Sequence, residues 1–230
     1  MKKCLKKNYN NPLPNNLHDI LIGIMLGDGS FYRLTPTSNT RFEMSFGEKY
    51  KKFAESIYIL FKDYIKTPLK PIEIKGKNKI YINYRLKTSS LPIFNPYFDL
   101  FYEYQQNNIK FNSKRKKYIK IIPYNILELM NPIVLAYLIM TDGNFDRGRN
   151  RIRIYTNSYT KNDVKRLALA IQTKMDIYVG VLHDRKDQWI LTIGATQLPL
   201  LRNLVYSHFE PSMLYRIGIK DNNKSNYSNN

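Results

Sequence analysis

The feature that most constrains this chain is an internal duplication. Leu17 to Phe31 reads LHDILIGIMLGDGSF, and Asn131 to Phe145 reads NPIVLAYLIMTDGNF. Superposed, they match Leu21 with Leu135, Asp28 with Asp142, Gly29 with Gly143 and Phe31 with Phe145. A repeat at domain spacing predicts two related halves. Both apolar runs are too short to cross a bilayer, which takes about 18 apolar residues. Apolar on every side, they predict buried helices, each carrying one aspartate to its C-terminal end. Gly23 and Gly27 lie four apart and share a helix face, where missing side chains let a second backbone approach closely. The second run offers Ala136 and Thr141 as its small residues, but has Tyr137 where the first has Gly23. The two helices are therefore expected to cross asymmetrically.

Between and after the runs, the periodicity predicts sheets and covering helices. Thr40 to Phe46 alternates Arg41, Glu43 and Ser45 with Phe42, Met44 and Phe46. Lys79 to Lys87 alternates Lys79, Tyr81, Asn83, Arg85 and Lys87 with Ile80, Ile82, Tyr84 and Leu86. Period two means a sheet with one buried and one solvated face. Phe53, Ile57, Leu60, Phe61 and Tyr64 recur at helical spacing within 48–66, and a short helix is expected within 91–107. Phe111 to Tyr124 is a basic run ending near a proline and reads as the connection between halves. The second half repeats the order. Asn131-Pro132 is a helix start, with a cap and then a first-turn proline. Gly148 to Tyr155 reads as a strand bearing Arg149, Arg151 and Arg153. Thr160 and Asp163 resemble a capping box, with Val164, Leu167, Ala168, Ile171 and Met175 as the core stripe beyond it. Strands are expected at 178–182 and 188–193, and a helix at 198–209. The domain boundaries that follow are a basic arm at 1–16, halves at 17–110 and 126–220, a linker at 111–125 and a polar tail at 221–230.

Charge narrows the partner. Thirty-seven Lys and Arg against 18 Asp and Glu give a net charge of +19. A small domain needs a net charge of only about 2 to 8 for solubility, so the excess points to a polyanion, nucleic acid before a membrane surface. No basic amphipathic helix is left over for a membrane. The single cysteine, Cys4, excludes a disulfide framework, and three scattered histidines lack the spacing of a zinc site. Richness in Lys, Asn, Ile, Tyr and Phe suggests an AT-rich genome such as an organelle's.

If the two apolar helices pack together, Asp28 and Asp142 emerge at the same end. Two neighbouring carboxylates raise each other's pKa unless a cation lies between them. Carboxylate oxygens beside a phosphate substrate suit Mg2+, with the carbonyls of Gly27 and Thr141 as additional candidate ligands. Metal-assisted hydrolysis of a phosphodiester is the chemistry such a set performs. Either Asp-Gly alone is ordinary helix-terminating turn chemistry; the aligned pair is not.

The paired motifs LIGIMLGDG (Leu21 to Gly29) and LAYLIMTDG (Leu135 to Gly143) resemble those of the LAGLIDADG homing endonucleases, in the single-chain, pseudo-symmetric branch. That resemblance implies an α/β fold of the α+β type with two αββαββα half-domains. The motif helices would pack at their interface, and two antiparallel sheets would form a DNA-binding saddle. It implies a monomer that makes a double-strand break in DNA with short 3′ overhangs, using two or more Mg2+ ions. Mn2+ or Ca2+ would substitute for binding. It also implies a basic residue near the end of each half acting at the catalytic centre, here Lys120 and Arg216, with arginine at the second place differing from the family's lysine. Polar strand faces would read the major groove through Arg33, Arg41, Glu43, Lys79, Tyr81, Asn83, Arg85 and Lys87 in the first half. The second half offers Arg147, Arg149, Arg151, Arg153, Gln188 and Thr192. Because the two sets differ, the target is expected to be long and asymmetric. Two other functions suit the same fold: an intron maturase acting on its own intron RNA, and a DNA-binding regulator without catalysis. A mitochondrial origin is expected, with the chloroplast as the alternative.

Overall fold

The computed structural model describes residues 12–77, 79–104 and 118–220. Most of the basic arm with Cys4, the basic cluster Lys114, Arg115, Lys116 and Lys117, and the tail at 221–230 lie outside the described residues. The chain runs α1 (Asn15–Leu26), β1 (Ser30–Tyr32), β2 (Arg41–Gly47), α2 (Lys51–Phe61), β3 (Pro71–Lys75), β4 (Ile80–Lys87), α3 (Asn95–Phe101), β5 (Tyr102–Tyr104). It continues with β6 (Tyr118–Lys120), α4 (Ile126–Leu129), α5 (Pro132–Asp142), β7 (Gly143–Asp146), β8 (Arg151–Tyr155), α6 (Lys161–Met175), β9 (Gly180–Arg185), β10 (Gln188–Ile193) and α7 (Leu198–Val205). A 3-10 helix, Pro211–Ile217, follows. The duplication is visible in topology: two antiparallel four-stranded sheets, ordered β1-β2-β4-β3 and β7-β8-β10-β9. Each apolar helix feeds directly into the first strand of its sheet.

Two compact units result, one of residues 12–18 and 29–100 and the other of 19–28 and 101–220. The first holds the sheet β1-β2-β4-β3. Phe42, Met44 and Phe46 of β2 are buried on one face together with Tyr84 and Leu86 of β4. Over them α2 lays Phe53, Ala54, Ile57 and Phe61. Phe42 and Phe61 meet with ring centroids 5.1 Å apart, and Phe46 meets Phe53 edge-on at 5.8 Å, geometries that suit aromatic quadrupoles. The alternation in β4 continues to Ile80, but the cover does not, so Ile80 is exposed rather than buried.

The second unit holds the other sheet and most of α1, from Asp19 onward. Helix α5 is buried at Val134, Leu135, Ala136, Leu138, Ile139 and Met140, as its all-round apolarity requires. The Asn131 side chain accepts from the Val134 N–H at 3.0 Å, satisfying a donor that the first turn leaves without a helical partner. Thr160 caps α6 by accepting from the Asp163 N–H at 3.2 Å, while its hydroxyl donates to the Asp163 carboxylate at 2.8 Å. The stripe Val164, Leu167, Ala168, Ile171 and Met175 is buried.

Several local expectations are corrected. Part of the expected linker is β6, paired antiparallel with β5. The strand expected from Gly148 begins at Arg151; Arg147 to Arg149 form a 3-10 turn closed by Asn150 in the left-handed region (φ 46°). The strand expected from Lys79 begins at Ile80. The helix expected to reach Phe209 stops at Val205 and continues as a 3-10 turn. Strands β1, β3 and β7 had no alternating stretch long enough to announce them. Among the described residues, no helix is long and apolar enough to cross a membrane.

Candidate active site

Both motif aspartates belong to the second unit, each at the C-terminal end of a motif helix. The glycines of α1 decide how near α5 can come. A β-carbon on Gly23 would stand 2.5 Å from the Val134 carbonyl oxygen and 2.7 Å from Cβ of Tyr137. One on Gly27 would overlap the Thr141 hydroxyl and an Asp142 carboxylate oxygen. The Tyr137 β-carbon therefore stands against the bare face of Gly23.

The helix ends supply the electrostatics. Solvent reaches Asp28 and partly reaches Asp142, but both sit in a recess crowded by protein atoms. That desolvation raises Asp28, against the lowering pull of Arg216 and Lys120. It also drives the Asp142 carboxyl up to about 7, with repulsion from Asp28 adding to it and Lys120, Arg216 and a Thr141 hydrogen bond opposing. The two acids are thus electrically coupled. Lys120, on β6, donates to the Gly27 carbonyl at 2.6 Å, and Arg216, in the last 3-10 helix, donates to the Gly143 carbonyl. Each cation is tied to main-chain oxygen beside one aspartate, where the helix dipole is negative. Their secondary structure does not match; their placement at the acids does.

Tyr159 completes the site and was not expected from sequence. Its buried hydroxyl donates to the Leu26 carbonyl at 3.0 Å, one of the last carbonyls of α1. Burial raises its pKa, with Asp142 adding to the shift. Nothing in the local sequence marks this tyrosine, because its partner is 133 residues away. Tyr159→Phe leaves that carbonyl without its donor and is expected to cost about 1–3 kcal/mol, read as a lowered denaturation midpoint with an unchanged slope.

A metal fits this recess by donor chemistry. Two carboxylates and the end carbonyls of two helices are hard oxygen ligands, and only glycine at position 27 leaves room for the Asp142 carboxylate. Lys120 occupies one direction of approach to the Gly27 carbonyl, which has two lone pairs. The Thr141 hydroxyl lies 3.0 Å from both the Tyr137 and the Leu138 carbonyl, so its main-chain oxygen is the candidate ligand there. Among the described residues no group of three or more Asp, Glu, His or Cys side chains is gathered to hold a metal ion, and the recess itself offers two.

The candidate base readers fall into distinct surroundings. In the first unit, Arg85, Lys87, Tyr81 and Lys79 are exposed, and Asn83 lies half-buried on the same sheet face as Tyr81 and Arg85. Arg41 stacks on Tyr32 at 4.1 Å and pairs with Glu43, which also takes Arg85 at 3.1 Å. Burial tends to raise Glu43, but those two hydrogen bonds prevail and hold it below the usual range. Arg33 is placed otherwise than expected. Its guanidinium donates to Asp99 (2.8 Å), Thr40 (3.0 Å) and the Asn95 carbonyl (3.1 Å) and lies over Phe98, so it braces the loop after β1. In the second unit Arg151 pairs with Asp146 at 3.2 Å and Arg153 with Asp184 at 2.9 Å. Thr192 lies opposite Arg153, and Gln188 accepts from Arg185 at 3.2 Å. Arg147 and Arg149 are exposed on their turn.

Known proteins resemble this chain in sequence and fold. The family model described as "LAGLIDADG DNA endonuclease family" matches residues 18–201. The cytochrome b mRNA maturase bI2 of Debaryomyces hansenii is 27% identical, over 95% of this chain and 81% of its own. A probable intron-encoded endonuclease of Wickerhamomyces canadensis is 27% identical, over 86% of this chain and 82% of its own. The solved structure of the homing endonuclease I-WcaI bound to its DNA recognition sequence superposes with a TM-score of 0.78 at 22% identity, covering 91% of this chain and 89% of that one. Structures of this fold have been solved with DNA and manganese or calcium. With both motifs inside the matched region and the same two-half architecture, the chain belongs to the LAGLIDADG homing endonuclease family.

Proposed function

We propose that this protein is a monomeric, site-specific DNA endonuclease that makes a divalent-metal-dependent double-strand break in a long asymmetric target. The observation that carries the reading is the pairing of Asp28 with Asp142 at the ends of two closely crossed helices, with Lys120 and Arg216 beside them. Asp28 and Asp142, with the Gly27 and Thr141 carbonyls, would hold Mg2+ ions, which supply Lewis acidity toward phosphate and its nucleophile. The protein's own part is positioning and charge. Lys120 and Arg216, held by the Gly27 and Gly143 carbonyls, offset the negative charge that grows on the phosphoryl oxygens. A water oxygen bonds to phosphorus as the bond to the 3′ oxygen breaks, leaving a 5′ phosphate and a 3′ hydroxyl. One aspartate served to each strand accounts for a double-strand break. Arg41, Glu43, Lys79, Tyr81, Asn83, Arg85 and Lys87, with Arg147, Arg149, Arg151, Arg153, Gln188 and Thr192, form the base-reading set. The ion pairs of Arg151 and Arg153 hold those guanidinium groups in fixed directions. An organellar, intron-borne origin, mitochondrial before plastid, accords with the relatives' names.

A second reading has a specific support: the relative matched over 95% of this chain is a maturase. The discriminating experiment selects bound duplexes from a random pool in Ca2+, then adds Mg2+ and maps the ends produced. Cleavage on both strands at one selected site supports the endonuclease. Splicing of an intron RNA, without any selected duplex being cut, supports the maturase and overturns the nuclease.

A further inference from the structure

The sheet of the first unit carries an apolar strip on the face turned away from its core. Ile72 stands opposite Asn83 and Ile74 opposite Tyr81, while Asn83 and Arg85 stand opposite Gly47 and Ser45. Directly opposed residues of an antiparallel pair share a face, so Ile72, Ile74 and Tyr81 lie on the face of Arg85 and Lys87, opposite Phe42, Met44 and Phe46. They remain 45%, 46% and 55% exposed. The Gly76 N–H donates to the Lys79 carbonyl at 2.9 Å at the end of this hairpin, next to Lys77 in the chain, and the Lys79 ammonium lies 5.7 Å from the Tyr81 ring centre. Uncovered isoleucines among cations face a partner that is polyanionic yet offers apolar contact.

We propose that Ile72 and Ile74, flanked by Tyr81, read thymine methyl groups in the major groove of the bound DNA, making one outer stretch of the target thymine-rich. The inference rests on the endonuclease reading above. In the major groove the thymine C5-methyl is the apolar group that projects from a base edge, so an apolar side chain in a groove-reading ribbon gains most affinity there. The lysines at the hairpin end supply the phosphate contacts that hold the strip in register. An RNA duplex would not serve, since uracil lacks the methyl and the A-form major groove is too narrow for side chains to read. Because β3 is an edge strand, a second copy of the chain is the competing occupant.

The test uses the full-length protein and duplexes selected in Ca2+, with deoxyuridine replacing thymidine one position at a time. Losing a methyl that is buried on binding should weaken affinity roughly fourfold. The effect is expected at two or three clustered thymines near one end of the site. The Ile72→Ala/Ile74→Ala variant should bind weakly and no longer distinguish the two bases, with an unchanged melting temperature because both side chains are half exposed. Ile74→Val should retain most of the discrimination. A selected site whose thymines can all become deoxyuridine without loss overturns this inference and leaves the endonuclease reading standing. Failure to select any duplex overturns both. If the double variant binds every duplex normally but loses a dimer seen by sedimentation, the strip belongs to a second copy and the inference falls.

Discussion

Asp142→Asn is expected to abolish cleavage and, in metal-free buffer at pH 8, to make the protein more stable than the wild type. Its carboxyl is pushed up to about 7 by desolvation first and by Asp28 second, from an unfolded value near 3.8. A folded-state pKa above the unfolded one means that folding is favoured by the protonated form. That contribution is complete below about 3.8 and is lost as pH rises through 7. At pH 8 without metal, the wild type therefore carries an ionised carboxylate that its surroundings disfavour, and asparagine removes it. The gain should be about 1–3 kcal/mol, or several degrees in melting temperature, vanishing near pH 4. Added Mg2+ should stabilise the wild type at pH 8 and leave the variant nearly unmoved. Cleavage should fall by about a thousandfold or more, since several kcal/mol of transition-state stabilisation go with the metal. Binding of the selected duplex should persist. Calorimetry across pH, with and without Mg2+, reads the first effect, and strand-end mapping reads the second. A wild type whose stability is flat from pH 4 to 8 would show that the two acids are not coupled in solution.

Gly27→Ala is the second large effect, and its cause is steric. The added methyl falls on the Thr141 hydroxyl and the Asp142 carboxylate, inside the closest approach of α1 and α5. The Thr141 side chain, hydroxyl and β-carbon both, on one side and the Asp142 carboxylate on the other leave it little room to relax. Overpacking of this kind costs about 1–3 kcal/mol, and a shift that accommodates the methyl displaces Asp142, the acid proposed to hold the metal. Cleavage should therefore fall by far more than the loss of stability explains, because misplacement by about 1 Å costs on the order of a hundredfold. The paired variant Gly27→Ala/Thr141→Ala removes the nearest clash and should regain part of the stability. Gly47→Ala is the control: nothing lies within 4 Å of the place its β-carbon would take, so stability and cleavage should both stay near wild type. Equal behaviour of the Gly27 and Gly47 variants would refute close helix contact at Gly27.

Much of this molecule was legible in the one-dimensional pattern. Repetition of an apolar run closed by Asp-Gly is a local signal, and it sufficed for two buried helices in two related halves, each with an aspartate at its end. Period-two alternation placed Phe42, Met44, Phe46, Tyr84 and Leu86 inward because a strand offers only two faces. It failed at Ile80, where alternation persisted after the covering helix had ended, and at β3, whose five residues are all exposed and so carry no burial pattern. The strand expected at Gly148 was misjudged because a polar Arg/Asn sequence suits a turn as readily as an outer strand face.

The sequence by itself determined the two apolar helices, the longer alternating strands and which two acids close the repeat, since these follow from spacing along the chain. Tertiary structure alone decided what stands beside them. Lys120 reaches Gly27 across 93 residues and Tyr159 reaches Leu26 across 133, while Arg33 reaches Asp99, 66 residues on. Such pairings depend on which charges and carbonyls the packed chain brings together, a quantity that no local window of residues contains.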